Sequence, residues 1–565
     1  MTVLVAPRPQ ARRAGESRHA AVATAHLRLM VLLLVFCAGV LAILARLALL
    51  GATAEPVSSR DLAAALTPLR GDIVDRNGTP LARTIDGWSI GVRPHQVIGD
   101  KVDLAQRMGV LLPEHSAAFY LAMLNSDRSF VYLRRRAAPE LVNAMNAIGE
   151  PGIAFAREPE RLYPQSSLAA HVLGYVDMDG RAVTGMEKVL EPRLIDKSAR
   201  AAPAVLSIDA RVQAAMESEL GRAMSDFQAA GAAGVILDAR TGEVIAMASV
   251  PSFNPNSVQQ GVTINNVTQS VYELGSTFKP IAVATAIDDG VVTDMARRFD
   301  ATKPMPMGRF FIHDDRGDEQ NRWLNIPETL VYSSNIATAR IADEVGAHRM
   351  QEMFRKLGFD TPPAIEIGKA RPLWPPFWGR LATMTTGYGH GIAVTPLHLA
   401  SAYAALVNGG TWRPATLLKV EPGRQAPGRR VISEATSARM RQLLRLIVLQ
   451  GTGKNANIPG YRIGGKTGTA EKSGVGGYSR NKNVSTFAAA FPMDAPRYVV
   501  VTMLDSPVAT AASMGQRTAG WTVAPVTGRI ILRTGAMLGV KPDESRDIDV
   551  SDVAPLIWHP DKAVP

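Results

Sequence analysis

The chain opens polar and arginine-rich and then turns abruptly apolar. Residues 1–28 carry Arg8, Arg12, Arg13, Arg18 and Arg28 against Glu16 and read as a disordered basic tail. Leu29 to Ala45 is unbroken apolar sequence, and after Arg46 the run resumes over Leu47–Leu50. About 20 apolar residues cross the hydrocarbon layer, and an arginine at the run's edge can reach the interface on its long stem. Residues 29–50 are therefore expected to anchor the chain in a membrane. Arginines ahead of the run put the N-terminus in the cytoplasm. Ala52-Thr53-Ala54 resembles a processing site, but the run is longer than the apolar part of a cleaved leader, so an uncleaved anchor is expected.

Beyond the anchor, the period of the apolar positions changes repeatedly. Asn77-Gly78 predicts a hairpin turn between two short strands. Leu104, Ala105, Met108, Leu111 and Leu112, and later Leu141, Met145 and Ile148, predict helices across 101–150. Another helix is expected from Gly185 to near Leu194. Residues 196–204 are small and polar and suggest a boundary. Val212 to Phe227 reads as a helix, followed by strands at Gly234–Leu237 and Glu243–Ala248. Pro304 to Trp323 reads as loop, and a helix after Ile326-Pro327 ends at Ser333. Pro362 to Trp378 reads as irregular. Helices are expected at Thr395 to Val407, stopped by Asn408-Gly409-Gly410, and at Glu434 to Leu449. Arg462–Thr469, Thr486–Phe491 and Tyr498–Leu504 read as strands, and Val523 to Leu538 as a closing helix. Strands at both ends with helices between them imply an antiparallel sheet covered by helices, an α+β arrangement. Residues after about 541 read as a loose tail.

Composition narrows the partners. With 565 residues the chain can bury the cores of two or three domains. The formal charge of +11 is not gathered into a lysine-rich block or an aromatic-interleaved basic stripe, so no nucleic-acid partner is expected. The single cysteine, Cys37, falls in the apolar run, which excludes an internal disulfide and a cysteine-based metal site.

Chemistry concentrates at Glu273-Leu274-Gly275-Ser276-Thr277-Phe278-Lys279-Pro280. Ser276 and Lys279 share one helical face. With small Gly275 and Ser276 as start signals, Ser276 is expected at the positive end of a helix, where a developing oxyanion is favoured. A neutral Lys279 could take its proton. The spacing alone is weak, since Ser479 and Lys482 repeat it in Ser473–Asn483, a Gly-rich stretch that reads as loop. Order along the chain adds weight: Ser333-Ser334-Asn335 and then Lys466-Thr467-Gly468-Thr469 follow. His390, the His313-Asp314-Asp315 cluster, and Asp72, Asp75, Glu187 and His171 are better read as structural or as polar loop. No metal or other cofactor is expected.

S-x-x-K, S-x-N and K-T-G in this order form the active-site set of penicillin-binding proteins and serine β-lactamases. Over nearly its whole length the chain resembles the class B penicillin-binding proteins, and within them the septal, cell-division D,D-transpeptidases of the FtsI type. Arg70–Ala82, Arg161–Pro164, Ala170-His171, Gly174 and Gly185–Lys188 carry the resemblance in the N-terminal part. Leu206–Asp209, Gly242–Ala248, Tyr388–Gly391, Thr395–Leu397 and Asn408–Gly410 carry it further on. The resemblance implies a penicillin-recognising serine transpeptidase fold, a five-stranded antiparallel sheet flanked by helices, on an elongated pedestal. It implies a tail at 1–28, an anchor at 29–50, a pedestal at 51–200, a transpeptidase domain at 201–540 and a polar tail at 541–565.

The resemblance also implies roles. Ser276 would be the nucleophile toward the D-Ala–D-Ala bond of a peptidoglycan stem peptide, with Lys279 as its base, made neutral through burial and a neighbouring cation, Lys466. Ser333 would relay the proton to the leaving amine, and Asn335 would hold Lys279 and the substrate amide. Lys466, Thr467 and Thr469, in the Lys466-Thr467-Gly468-Thr469 segment, would bind the terminal carboxylate. The backbone amides of Ser276 and Thr469 would form the oxyanion hole. Implied partners are stem peptides, β-lactams and division-complex proteins including an FtsW-type glycosyltransferase. The implied location is a single pass of the inner membrane with the catalytic domain in the periplasm. An elongation-specific transpeptidase, a D,D-carboxypeptidase, a β-lactamase and a non-enzymatic scaffold or β-lactam sensor remain as alternatives. Gln516–Trp521 departs from the Tyr-x-Gly-Gly step that the family often shows before the Ala-Pro. A class A bifunctional enzyme is not expected, because no glycosyltransferase signature is present.

Overall fold

In the computed structural model, residues 11–53, 69–258, 264–308, 310–315, 317–474 and 477–558 are described. The chain divides into two units, Met1–Thr67 and Pro68–Pro565.

The first unit contains helix α1 (Ala11–Thr53). Its segment Val22–Leu49, 28 residues, is long and apolar enough to cross a membrane. The basic stretch does not remain a disordered tail over its described part, because residues 11–28 are helical. Six alanines between Ala11 and Ala25 favour helix, and they extend an already nucleated apolar helix at little cost. The first ten residues and Ala54 of the processing-like motif lie outside the described residues.

The second unit begins with a five-stranded sheet of β1 (Ile73–Val74), β2 (Pro80–Val92), β3 (Val131–Ala137), β4 (Ile153–Leu162) and β5 (Ala204–Val205). Asp75 shapes the expected Asn77-Gly78 turn: its Oδ1 accepts from the Asn77 and Thr79 amides at 2.8 Å. Helices α2 (Lys101–Leu111), α3 (Ala117–Leu124) and α4 (Pro139–Asn146) form at 101–150, but Val131–Ala137 is a strand. Arg134-Arg135-Arg136 gives it no apolar alternation, so only pairing with β2 reveals it. Glu187, on α5 (Gly185–Ile195), is fully buried and takes Nε–H bonds from Arg70 at 2.8 Å and Arg161 at 2.7 Å. Removing one member of such a buried set typically costs about 3–5 kcal/mol, because a charge is left unpaired. Contacts bridge the small-residue stretch at 196–204. Ala204 and Val205 pair in parallel with β1, and Ala210 donates its amide to Asp75 at 3.0 Å.

The main sheet is antiparallel with strand order β8-β9-β10-β6-β7, built from β6 (Gly231–Asp238), β7 (Val244–Val250), β8 (Gly464–Gly474), β9 (Gly477–Phe491) and β10 (Tyr498–Asp505). Successive residues serve opposite faces. Val499, Val501, Val235 and Leu237 enter one core with Leu399 and Tyr403 of helix α10 (Pro396–Val407). Val500 and Ile236 enter another with Met216 of α6 (Ala210–Asp226) and Ile530 of α12 (Val523–Thr534). Burying each such side chain contributes about 1.5–3 kcal/mol. Both faces are therefore covered, as continuous apolar strands require.

Two expectations are corrected here. Ser473–Asn483 is not a free loop, since β8 and β9 run into it as paired hairpin arms, Glu471 opposite Asn483. The stretch after 541 is not loose over its described residues. Val553 and Ile557 are buried, and Arg445 of α11 (Glu434–Gln450) clasps Asp547 with contacts of 2.6–3.0 Å. Polar composition hid this segment, because its two apolar anchors are sparse.

Candidate active site

Ser276 lies in a 3₁₀ turn, Gly275–Phe278, that runs directly into helix α7 (Lys279–Asp288). The helix is buried all round from Lys279 to Ala286, as a central helix must be. Ser276 is thus not a helix cap as expected. It sits one tight turn earlier, and Pro280 falls in the helix's first turn, where its missing N–H does no harm. Thr277 Oγ1 donates to the Leu274 carbonyl at 2.9 Å, and Tyr403 Oη donates to the Thr277 carbonyl at 2.9 Å. The turn is therefore held from within and from α10.

Strand β8 runs against this turn. A Cβ on Gly468 would lie 2.3 Å from the Leu274 carbonyl oxygen and 2.8 Å from Thr277 Cγ2. A Cβ on Gly275 would lie 3.0 Å from the Thr469 carbonyl oxygen. Both glycines permit the close approach of strand and turn.

The S-x-N segment follows helix α8 (Ile326–Val331) and precedes α9 (Asn335–Val345). Asn325 and Glu328 start α8 with a reciprocal capping box. Ser333 has φ +61°, a left-handed conformation in which a residue with a side chain is strained. Its hydroxyl joins the two distant lysines. Lys279 Nζ donates to Ser333 Oγ at 3.1 Å and closely to the Ser333 carbonyl, and Lys466 Nζ donates to the same Oγ at 2.9 Å. Both lysines are 0 % exposed.

Burial lowers the Lys279 pKa to about 8, against the charges of Asp315, Asp314 and Asp318, which raise it. Lys466 is lowered well below its ordinary value, first by burial and then by the neighbouring charge of Lys279. Burial lowers Lys279 as expected, but the expected contribution of a cationic Lys466 is absent, since Lys466 is itself depressed beside Lys279.

Ser276, Ser333, Thr467 and Thr469 line a cavity of about 310 Å³, with the lysines behind its wall. Thr467 Oγ1 donates to Thr452 Oγ1 at 2.6 Å, and Thr469 Oγ1 accepts from the Ala519 amide at 3.0 Å. Asn335 is placed differently from expectation. Its Nδ2 donates to the His313 carbonyl at 2.9 Å and to Asp315 Oδ1 at 3.3 Å, not to Lys279. Sequence reasoning missed Thr452, for which no motif gave a signal. In the sequence His313-Asp314-Asp315 reads as a polar loop and Gln516–Trp521 as a departure that bears on substrate or inhibitor contacts; Asp315 and Thr518–Trp521 line this cavity. His390 Nδ1 lies 3.3 Å from Glu273 Oε2. Among the described residues, no three His, Cys, Asp or Glu side chains are grouped to hold a metal.

Comparison with known proteins gives the same outline. Residues 232–528 match the penicillin-binding protein transpeptidase domain, and residues 65–193 match the penicillin-binding protein dimerisation domain. The chain is 41 % identical over 489 residues to a probable peptidoglycan D,D-transpeptidase FtsI of Caulobacter vibrioides, covering 84 % of this chain and 82 % of that protein. It is 30 % identical over 514 residues to the peptidoglycan D,D-transpeptidase FtsI of Escherichia coli K12, covering 84 % of each. Among solved structures, penicillin-binding protein 3 of Mycobacterium tuberculosis complexed with aztreonam superposes with a TM-score of 0.66 at 26 % identity. That likeness covers 84 % of this chain and 98 % of the other.

Proposed function

The chain belongs to the class B penicillin-binding protein transpeptidases, and we propose that it cross-links peptidoglycan stem peptides at the division septum through an acyl-serine intermediate. The observation that carries this reading is the Lys279–Ser333–Lys466 bridge behind a cavity that also holds Ser276. Ser276 attacks the penultimate D-Ala carbonyl, and Lys279 takes its proton. A neutral amine has two N–H groups and one lone pair. Both Lys279 donors are occupied by Ser333, so the lone pair is left for the Ser276 proton. Lysine bonds likewise fill both acceptor positions of Ser333 Oγ. Its single proton is then free to pass to the leaving D-Ala amine, and Lys279 restores it.

Thr467 and Thr469 receive the terminal carboxylate in the cavity, with Lys466 acting from behind. The amides of Ser276 and Thr469 stabilise the tetrahedral oxyanion, a contact whose loss typically costs about 3–4 kcal/mol. Asn335 turns from the 313–315 loop to the substrate amide. A second stem's amine then attacks the acyl-enzyme and releases Ser276. A β-lactam acylates the same serine, a reading supported by the similarity to the aztreonam-bound relative.

Residues 29–50 anchor the chain in the inner membrane with residues 1–28 in the cytoplasm and the catalytic domain in the periplasm. Residues 51–200 form the pedestal, which meets division-complex proteins including an FtsW-type glycosyltransferase, and 201–540 the transpeptidase domain. Complementation tests the function: Ser276→Ala should fail to rescue depleted cells, which grow as filaments, and should not label with fluorescent penicillin. Rescue with labelling contradicts the enzyme reading, and round cells in place of filaments contradict the septal role.

A further inference from the structure

The loop beside the S-x-N turn carries a buried carboxylate that the chemistry above does not use. Asp314 is 8 % exposed. Its Oδ1 accepts from the Ile336 amide at 3.0 Å, and both carboxylate oxygens lie 3.0 Å from Ser334 Oγ, which donates to them. Ser334 is also the N-cap of α9, its Oγ accepting from the Ala337 amide at 3.1 Å. A negative charge is thereby fixed at the positive end of an eleven-residue helix. The residue immediately before this cap is Ser333, at φ +61°. Such a conformation persists only where its surroundings over-determine it. On one side Lys279 grips the Ser333 carbonyl. On the other, the chain is pinned through Ser334 and Ile336 to Asp314.

We propose that Asp314 is a positioning residue for acyl transfer, holding Ser333 in the left-handed conformation that sets its hydroxyl between Lys279 and Lys466. The proposal rests on the assignment of Ser276, Lys279 and Ser333 to the reaction. It gives the Asp314 carboxylate a second effect through space. Among the described residues, the charged groups facing Lys279 are Lys466, Asp314, Asp315 and Asp318, and the three aspartates favour its protonated form. Removing one of them makes the neutral amine easier to reach.

The test uses the full-length, detergent-solubilised protein and a fluorescent penicillin, with binding and acylation steps resolved. Asp314→Ala should retain initial penicillin affinity and lose roughly 10- to 100-fold in acylation rate, the scale of a misplaced catalytic group. Asp314→Asn keeps the acceptor oxygen and loses the charge. It should retain most of the rate and move the acid limb of the acylation–pH profile to lower pH. Wild-type acylation by Asp314→Ala overturns the proposal. If Asp314→Ala does not fold, Ser334→Ala decides, because it removes the hydroxyl that ties Asp314 to the residue after Ser333: wild-type acylation by that variant overturns the proposal. Ser276→Ala in parallel separates the two levels, because labelling of that variant would refute the site assignment whatever Asp314 does.

Discussion

Lys466 Nζ donates to Ser333 Oγ at 2.9 Å across 133 positions of sequence. The main sheet and the buried α8–α9 pair bring these residues together, and the same hydroxyl also receives Lys279. Three motifs scattered along the chain thus meet at one oxygen atom.

The buried amine makes activity and stability depend on pH in linked ways. If neutral Lys279 is the base, the rate of acylation by penicillin should rise with pH through about 8 and fall roughly tenfold per unit well below it. In the unfolded chain the same lysine stays protonated to its ordinary 10.5, so the folded state binds fewer protons between about 8 and 10.5. Stability therefore rises with pH across that window, and at pH 7 the buried amine costs about 3 kcal/mol. Lys279→Met should melt higher than wild type at pH 7, with the gap closing toward pH 10. A gap independent of pH across that range argues against the account.

Ser333 separates strain from chemistry. Replacement by alanine keeps the positive-φ strain and removes the hydroxyl, whereas glycine removes both. Both variants should lose about 10²-fold or more in acylation rate. Glycine should be the more stable of the two by about 1 kcal/mol in denaturant unfolding, because only glycine takes positive φ freely. Equal stability would mean that this backbone conformation carries no strain.

Gly468 marks where the strand carrying Lys466 and Thr469 meets the Ser276 turn. Gly468→Ala puts a methyl group 2.3 Å from the Leu274 carbonyl oxygen, so strand and turn must separate. A shift of about 1 Å typically costs a reaction about 10²-fold. Stopped-flow acylation should show that loss, with thermal stability lowered as well by about 1–3 kcal/mol because the clash is with backbone. A wild-type rate would show that the close contact is dispensable.

Arg445 should be a stability residue without a part in the chemistry. Its guanidinium, 7 % exposed, clasps Asp547 and donates to the Ile463 carbonyl at 2.8 Å and to Asn457 Oδ1 at 2.9 Å. Arg445→Ala leaves the carbonyl of buried Ile463 unpaired and should cost about 1–3 kcal/mol. Asp547→Asn should cost less, because Asp547 is 36 % exposed and the guanidinium keeps its other acceptors. Thermal melting of the two variants orders them, and the reverse order contradicts this description of the C-terminal segment.

What the sequence revealed and what it hid follow from the range of the forces involved. Helical spacing placed Ser276 and Lys279 together because three residues bring side chains onto one face. The main-sheet strands and most of the long helices were legible as apolar runs with clear stops, as in Asn408-Gly409-Gly410 after α10. Strand β3 was not, because Arg134-Arg135-Arg136 is strand only through β2. That Lys279 must be buried followed from its need to be neutral, but which segments would bury it, and that Lys466 would be depressed with it, belong to the assembled core. Asp314 lies 20 residues before Ser334, in a stretch whose composition says only loop. Its part emerges when the folded chain aims it at the start of α9.

The most direct measurement is peptide mapping by mass spectrometry after brief exposure of the full-length protein to benzylpenicillin. The account predicts one covalent penicilloyl group, on Ser276, absent from Ser276→Ala and greatly slowed in Lys279→Met. An adduct on Ser333 or any other residue, or undiminished modification of Ser276→Ala, would contradict it.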